Sequence, residues 1–154
     1  MKMRNEKDNI FFVPTGTPSS KNSRQWNGRR LMPSKATNLW RQETAEWWDY
    51  NKDKFKDQLI GLEKPYLLGL HFVRKSKHKF DQINPSQTIF DEMTKYGYID
   101  DDNNDEMIPF PLSIEGKWFT YSKDEPGCYI KILSAKDAGE LHKLLNIDIN
   151  GRDN

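Results

Sequence analysis

A continuous apolar run at residues 66–73, YLLGLHFV, constrains the fold of this chain more than any other feature. Its apolar residues do not alternate with polar ones, which is typical of a strand buried on both faces. Such a strand belongs in the middle of a sheet whose faces are covered by other elements. Because the chain has 154 residues, it is long enough for one domain with its own core.

The other predicted elements surround this strand. Residues 10–13 form a short apolar strand, and residues 25–32 form a hairpin whose Asn27-Gly28 pair favours a two-residue turn. Ser34 is the predicted N-cap of a helix that continues into the 50s. A last strand at residues 128–133 precedes a helix that Ser134 caps and that ends near Leu145.

One further helix is predicted between two acidic stretches. Asn84 is its expected cap and Pro85 its first residue, since proline is tolerated there. The helix ends near Tyr96, and Gly97 supplies the stop. The element order predicts an α/β protein, in the form of an α+β mixed sheet with flanking helices in a single domain.

Composition and hydropathy limit the classes of function. The single cysteine, Cys128, excludes a disulfide within the chain and any zinc site built from several cysteines. Its apolar neighbours predict a buried thiol, and His71 on the apolar run is expected in the core. No run reaches the roughly 18 apolar residues of a membrane span, and the first residues lack a signal-peptide core. We therefore expect a cytoplasmic protein with no membrane partner and no small-molecule cofactor.

Charge is divided unevenly along the chain. Residues 1–80 contain 17 Lys and Arg against 8 Asp and Glu, whereas residues 81–154 contain 7 against 15. A basic surface attracts polyanions, and an acidic cluster repels them unless a cation intervenes. The division indicates a phosphate-binding surface around a metal site. Charge pairing within the molecule is the alternative that composition leaves open.

The acidic segment between Asp81 and Glu106 is where we expect the chemistry. Magnesium takes oxygen ligands, commonly one or two carboxylates with several waters, and such carboxylates serve metal-assisted phosphodiester cleavage. Asp81 precedes the helix, and Asp101 and Asp102 follow it. They can meet only if the chain folds back after the helix ends. An Asp-rich surface turn is the alternative interpretation.

Three polar residues of the helix itself, Asn84, Gln87 and Asp91, recur at spacings that place them on one face. A calcium loop starting at Asp100 is excluded, because its sixth position is Asp105 where glycine is required.

Basic residues before the acidic segment are predicted to contact the DNA backbone. They occur in an early loop, a hairpin and the loop after the apolar run. These candidates are the basic residues Lys21, Arg24, Arg29, Arg30, Lys75, Lys77 and Lys79, together with the neighbouring amide Asn22. A solvated cationic surface is the alternative interpretation.

The acidic segment resembles the RusA family of Holliday-junction resolvases. Residues 81–93, DQINPSQTIFDEM, followed by residues 97–102, GYIDDD, match without a gap that family's Asp-x-Asp-Asn-x-x-Lys, its Asp-Ala-Leu and its Gly and Asp-Asp. Residues 18–22, PSSKN, resemble the family's early loop. The likeness covers roughly residues 10–133.

The resemblance implies a homodimeric endonuclease that cuts branched DNA with Mg²⁺ or Mn²⁺ as its cofactor. It implies that Asp81 and Asp102 bind the metal with Asp101 beside them, and that Asp91 supports catalysis. It also implies a nuclease domain over residues 10–146, between a polar lead at 1–9 and a polar tail at 147–154.

Two positions depart from the family pattern. Ile83 replaces the family's second Asp, and Gln87 replaces its Lys. Either Asp91, Asp105 or Glu106 supplies the missing carboxylate, or the protein binds branched DNA with weak or no cleavage. A protein-binding adaptor that uses the acidic loop is the third hypothesis.

Overall fold

The apolar run at residues 66–73 lies in β4, Tyr66–Arg74, and six consecutive residues of this strand are buried. The computed structural model describes residues 8–19, 24–26, 28–29, 31–78 and 83–150, with the backbone alone at 24–26, 31–33 and 83–84. Within these ranges β4 has neighbours on both edges. The predicted central strand is therefore confirmed.

The main sheet is mixed. β1, Ile10–Pro14, pairs antiparallel with β7, Gly127–Ile132, which pairs antiparallel with β4. On the other edge of β4, two strands pair in parallel with successive stretches: β5, Met107–Pro111, and β6, Thr120–Tyr121. The described part of the chain is one small mixed α/β domain, as predicted.

Two helices begin where their serine caps predict. α1 is Lys35–Leu59, and the Thr37 backbone N–H donates to Ser34 Oγ at 3.2 Å. α3 is Ala135–Leu145, and the Asp137 N–H donates to Ser134 Oγ at 3.2 Å. Each cap satisfies a backbone donor that the helix cannot pair internally.

The helix beside the acidic residues is α2, Ile83–Lys95, and it begins earlier than predicted. Asn84 lies inside it, so the prediction that Asn84 is the cap is wrong. The N–H groups of a helix's first turn have no partner within the helix, so Pro85 fits two positions after the start. Gly97, at φ 79°, ends α2 as predicted: the N–H of Gly97 donates to the Thr94 carbonyl oxygen and that of Tyr98 to the Met93 carbonyl oxygen.

The core lies between the sheet and the two long helices. Trp48 and Phe55 of α1 and Ile89 and Met93 of α2 are fully buried, as predicted for Ile89 and Met93. Tyr96, also expected in the core, packs there while partly exposed. Across the described residues, no helix is both long and apolar enough to cross a membrane.

The small hairpin differs from its prediction in the position of its turn. β2, Arg24–Trp26, pairs antiparallel with β3, Leu31–Pro33, and Trp26 lies opposite Leu31. This register centres the connection between Gly28 and Arg29, one residue later than the predicted Asn27-Gly28 pair. Asn27 and Arg30 lie outside the described residues.

His71 is completely buried in β4, as predicted for a core histidine. Its Nδ1 lies 2.8 Å from the Leu112 carbonyl oxygen and its Nε2 lies 3.0 Å from Thr120 Oγ1. Because a carbonyl oxygen only accepts, Nδ1 carries the proton and Nε2 accepts from the Thr120 hydroxyl. Burial lowers the pKa of His71, which keeps the ring in the neutral form that these bonds require.

We expect the stability contributed by His71 to fall as the pH decreases below about 6.5, which is the pKa of a histidine side chain in an unfolded chain. Since the folded pKa is lower than the unfolded one, the unfolded state binds more protons between these two values, and acid favours unfolding. The contribution is complete above the unfolded pKa and is lost as the pH falls towards the folded one. Denaturant unfolding of the protein and of His71→Gln, at about pH 7.5 and 5.5, measures this difference.

The exposed His78 provides the matched control. The His78→Gln variant should follow the unmodified protein at both pH values. A difference between His71→Gln and the unmodified protein that is the same at both pH values contradicts the prediction.

Candidate metal and nucleic-acid site

One glutamine amide joins two of the predicted site carboxylates. Gln87 Nε2 donates to Asp91 Oδ1 at 2.9 Å and to Asp102 Oδ2 at 2.6 Å. Gln87 and Asp91 lie one helical turn apart on α2, so a single side chain reaches both. Asp102 comes from a different segment, 15 residues further along the chain. These three side chains, which we call the Gln87 cluster, are all solvent-accessible.

The chain returns to α2 because the residues after Gly97 are anchored in the core. Tyr98 is 2% exposed and Ile99 is 3% exposed. The Tyr98 hydroxyl donates to the Trp48 carbonyl oxygen of α1. This buried pair reverses the chain and directs the following aspartates to the outer face of α2. The chain therefore folds back after the helix, which is the condition predicted from the sequence for Asp102 to approach Asp81.

Lys64 braces the acidic loop that carries Asp102. Its Nζ lies 3.1 Å from Asp100 Oδ2 and 2.9 Å from Glu106 Oε2. The other Glu106 oxygen accepts the Asp100 backbone N–H at 3.0 Å. Hydrogen bonds to Glu106 and then to Asp100 raise the pKa of Lys64 to about 12. Both Glu106 oxygens are thus engaged in contacts that hold the acidic loop together.

The turn within this loop is held by Asn103. Its Oδ1 accepts the backbone N–H of Asp105 at 3.0 Å and of Glu106 at 3.1 Å. Asp101 accepts the Asp102 backbone N–H at 2.8 Å and the Asn103 amide at 3.3 Å. The Asp102 N–H, together with the Asp102 carboxyl and the Asn103 amide, keeps the pKa of Asp101 below its ordinary value. Asp101 therefore lies beside Asp102 and helps to set its position.

An open cleft adjoins the Gln87 cluster. Its volume is about 460 Å³, and Gln87 and Asp102 form part of its wall. Phe90 of α2 and Phe110 of β5 give it an apolar floor, while Ser86 and Asn104 add polar groups. The cleft provides space for a ligand next to the Asp102 carboxylate.

The remaining predicted site residues are only partly described. Asp81 lies outside the described residues, and so does the side chain of Asn84. Lys75 and Lys77 are exposed on the loop after β4, and Arg29 is exposed in the hairpin connection. Of the other DNA-contact candidates, Arg24 is described by its backbone only, and Lys21, Asn22, Arg30 and Lys79 lie outside the described residues.

Two contacts of α2 were not anticipated from the sequence. Thr88 Oγ1 donates to the Pro18 carbonyl oxygen at 2.8 Å, which places Pro18 against α2. Glu92 is completely buried, and its Oε1 lies 3.1 Å from Arg41 Nε of α1. Burial raises the pKa of Glu92. The sequence signal for the burial of Glu92 was its position on the helix. Because Glu92 comes one residue after Asp91, its side chain lies on a different side of α2 from the exposed polar face.

The donor set of the Gln87 cluster fits magnesium. Mg²⁺ is usually held by one or two carboxylates and keeps several waters. Asp91 and Asp102 supply two carboxylates, and the amide between them is neutral, so both negative charges remain to attract a cation. No group of three or more His, Cys, Asp or Glu side chains forms a metal site among the described residues, which exclude Asp81.

Neither a protein-family model nor a curated protein sequence matches this chain.

Proposed function

We propose that this protein is a RusA-like, magnesium-dependent endonuclease that cuts branched DNA such as Holliday junctions. The observation that supports the proposal is the Gln87 amide, 2.9 Å from Asp91 and 2.6 Å from Asp102. Two carboxylates from separate segments meet on an exposed surface beside a cleft. This arrangement suits a hydrated cation that faces a phosphate.

In the proposed site, Asp91 and Asp102 hold the metal and Asp101 supports the position of Asp102. Asp81 completes the site from the segment before α2. Magnesium there supplies Lewis-acid chemistry, which makes water more acidic and offsets charge on the phosphodiester in the transition state. Asp91 takes the place of the carboxylate that Ile83 lacks, because Glu106 is bonded to Lys64 and the exposed Asp105 has no contact with the cluster.

Lysines on the loop after β4 hold the DNA in this proposal. Lys75 and Lys77 are exposed, and their loop connects β4 to the segment that leads into α2. Phosphate contacts by such residues position a duplex without reading its sequence. The proposal includes a homodimer, because resolution of a four-way junction requires cuts in two strands.

A cleavage assay on defined DNA tests the proposal. The protein is incubated with a labelled four-way junction, and in parallel with a linear duplex of the same sequence, in Mg²⁺, in Mn²⁺ and in chelator. We expect paired nicks in the junction with either metal and none in chelator or in the duplex. An intact junction in both metals contradicts the nuclease proposal.

A second candidate function is a junction-binding protein without nuclease activity. The observation that favours it is that the Gln87 amide donates a hydrogen bond to one oxygen of each carboxylate. The RusA family has a lysine at this position. For such a protein the cleavage assay shows no nicks, while a gel-shift measurement with the same labelled junction shows binding that weakens as salt is added. Calorimetric titration with Mn²⁺ would then show no binding.

A further inference from the structure

On the edge of β4 opposite β7, the chain between β5 and β6 forms a loop outside the sheet. β5 pairs with the first half of β4 and β6 with its last two residues, so the chain between them leaves the sheet and returns to it. We call the segment from Leu112 to Tyr121 the aromatic hairpin. His71 of β4 holds both of its ends, through the Leu112 carbonyl oxygen and the Thr120 hydroxyl.

The tip of the aromatic hairpin is a tight turn. Ile114 and Lys117 exchange two backbone hydrogen bonds, of 2.9 and 3.0 Å. The two residues between them have positive φ, 50° at Glu115 and 77° at Gly116. Positive φ at both central residues is the geometry of the turns that close two-residue hairpins. The residues that follow are therefore presented on a defined backbone.

Three aromatic side chains of the hairpin are exposed. Trp118 is 58% exposed, Phe119 54% and Tyr121 46%, whereas Trp40 and Trp48 of α1 are at most 3% exposed. Exposed aromatic rings with amphipathic edges are typical of binding surfaces rather than of solvated loops. Three exposed aromatic side chains within four residues distinguish the hairpin from the other described loops.

Cations surround these rings. Lys77 Nζ lies 5.3 Å from the centre of the Tyr121 ring, within the range of a cation–π contact. The Ser122 N–H donates to the Arg74 carbonyl oxygen at 2.8 Å, which fixes the hairpin beside the basic loop. Residues 74–78 and 112–125, which comprise the end of β4 and the loop after it, the hairpin and the four residues that follow the hairpin, contain five cations and three acids, Glu115, Asp124 and Glu125. The cations are Arg74, Lys75, Lys77, Lys117 and Lys123.

We propose that the aromatic hairpin binds an unpaired stretch of DNA, with bases stacked on Trp118 and its neighbours and phosphates held by Lys77 and Lys117. Stacking platforms combined with positive charge are the usual means of binding single strands without sequence preference. Tyr121 pairs with Arg74 at the end of β4, so the aromatic hairpin lies beside the loop that carries Lys75 and Lys77. The inference rests on the proposed function in that DNA is taken as the partner.

Fluorescence titration with a short oligothymidine in chelator tests the inference without requiring cleavage. We expect saturable quenching of tryptophan emission, because a base stacks on the exposed Trp118 indole. Trp118→Ala should remove the quenching and weaken binding by roughly 5- to 100-fold, the equivalent of one stacked base. Trp118→Phe should retain most of the affinity but not the quenching.

Tyr50→Ala is the matched control, since Tyr50 is an 85% exposed aromatic residue on α1, and it should bind like the unmodified protein. Lys77→Ala should reduce the slope of the logarithm of the binding constant against the logarithm of the salt concentration by about one, the equivalent of one phosphate contact. Unchanged affinity in Trp118→Ala, or binding to a protein partner with none to the oligothymidine, overturns the inference.

Junction cleavage distinguishes the two proposals. Single-strand binding without cleavage contradicts only the nuclease proposal. Cleavage together with unchanged oligothymidine binding by Trp118→Ala contradicts only the proposal for the aromatic hairpin.

Discussion

Replacing Asp102 by asparagine is expected to lower magnesium-dependent junction cleavage by on the order of 100-fold or more. Metal-derived charge stabilisation is worth several kcal/mol in such sites, and about 1.4 kcal/mol corresponds to tenfold in rate. Asparagine keeps the shape of the side chain but removes one of the two charges that meet at Gln87. Single-turnover cleavage of a labelled four-way junction, with protein in excess, measures the effect.

Asp105→Asn is the matched control for this substitution. Asp105 lies on the same exposed loop, and the change removes the same charge, but its side chain is not part of the Gln87 cluster. We expect Asp105→Asn to cleave at nearly the normal rate. Calorimetric titration with Mn²⁺ should show weakened binding for Asp102→Asn alone. Full cleavage by Asp102→Asn would place the chemistry elsewhere in the molecule.

The elements predicted correctly are those whose signals are local. Ser34 and Ser134 mark helix starts through hydrogen bonds to residues three positions on. The Gly97 stop depends only on its own positive φ and the preceding turn. The apolar pattern of β4 likewise reflects its own burial on both faces.

β5 was missed because two prolines interrupt its pattern. Pro109 and Pro111 argue against a strand, since proline cannot donate to a sheet. The Leu112 N–H donates to the Leu70 carbonyl oxygen, so N–H groups at alternate positions point towards β4. The nitrogens of Pro109 and Pro111 point away from β4, where a missing donor has little cost at a sheet edge.

The sequence indicated which segments contain the Gln87 cluster, but not all of the contacts within and around it. The register of Asp91, Gln87 and Asp102 follows from the sequence, but the contact between Gln87 and Asp102 depends on the chain reversal at Tyr98 and Ile99. Lys64 could not be assigned to the acidic loop, because it lies 36 residues before Asp100 and 42 before Glu106. No periodicity connects residues at such separations.

Substituting Ile83 by aspartate together with Gln87 by lysine is expected to raise junction cleavage by on the order of 100-fold, the scale of one charge-stabilising group at a transition state. The lysine supplies a cation for phosphate at the position where Gln87 is neutral. The aspartate adds a carboxylate one helical turn earlier on α2, so that the metal keeps two carboxylates when the lysine binds one. The same single-turnover assay measures the gain.

The two changes should be interdependent. Gln87→Lys alone places an ammonium group close to the two carboxylates that the Gln87 amide contacts, where it competes with the metal, so we expect little gain from it. Asn38→Asp with Gln42→Lys is the matched control, because these exposed α1 positions have the same spacing and charge change. A double-mutant cycle then gives a coupling between positions 83 and 87 that is favourable to cleavage. Strictly additive effects, or an equal gain in the α1 control, would mean that surface charge and not the geometry of the Gln87 cluster limits the reaction.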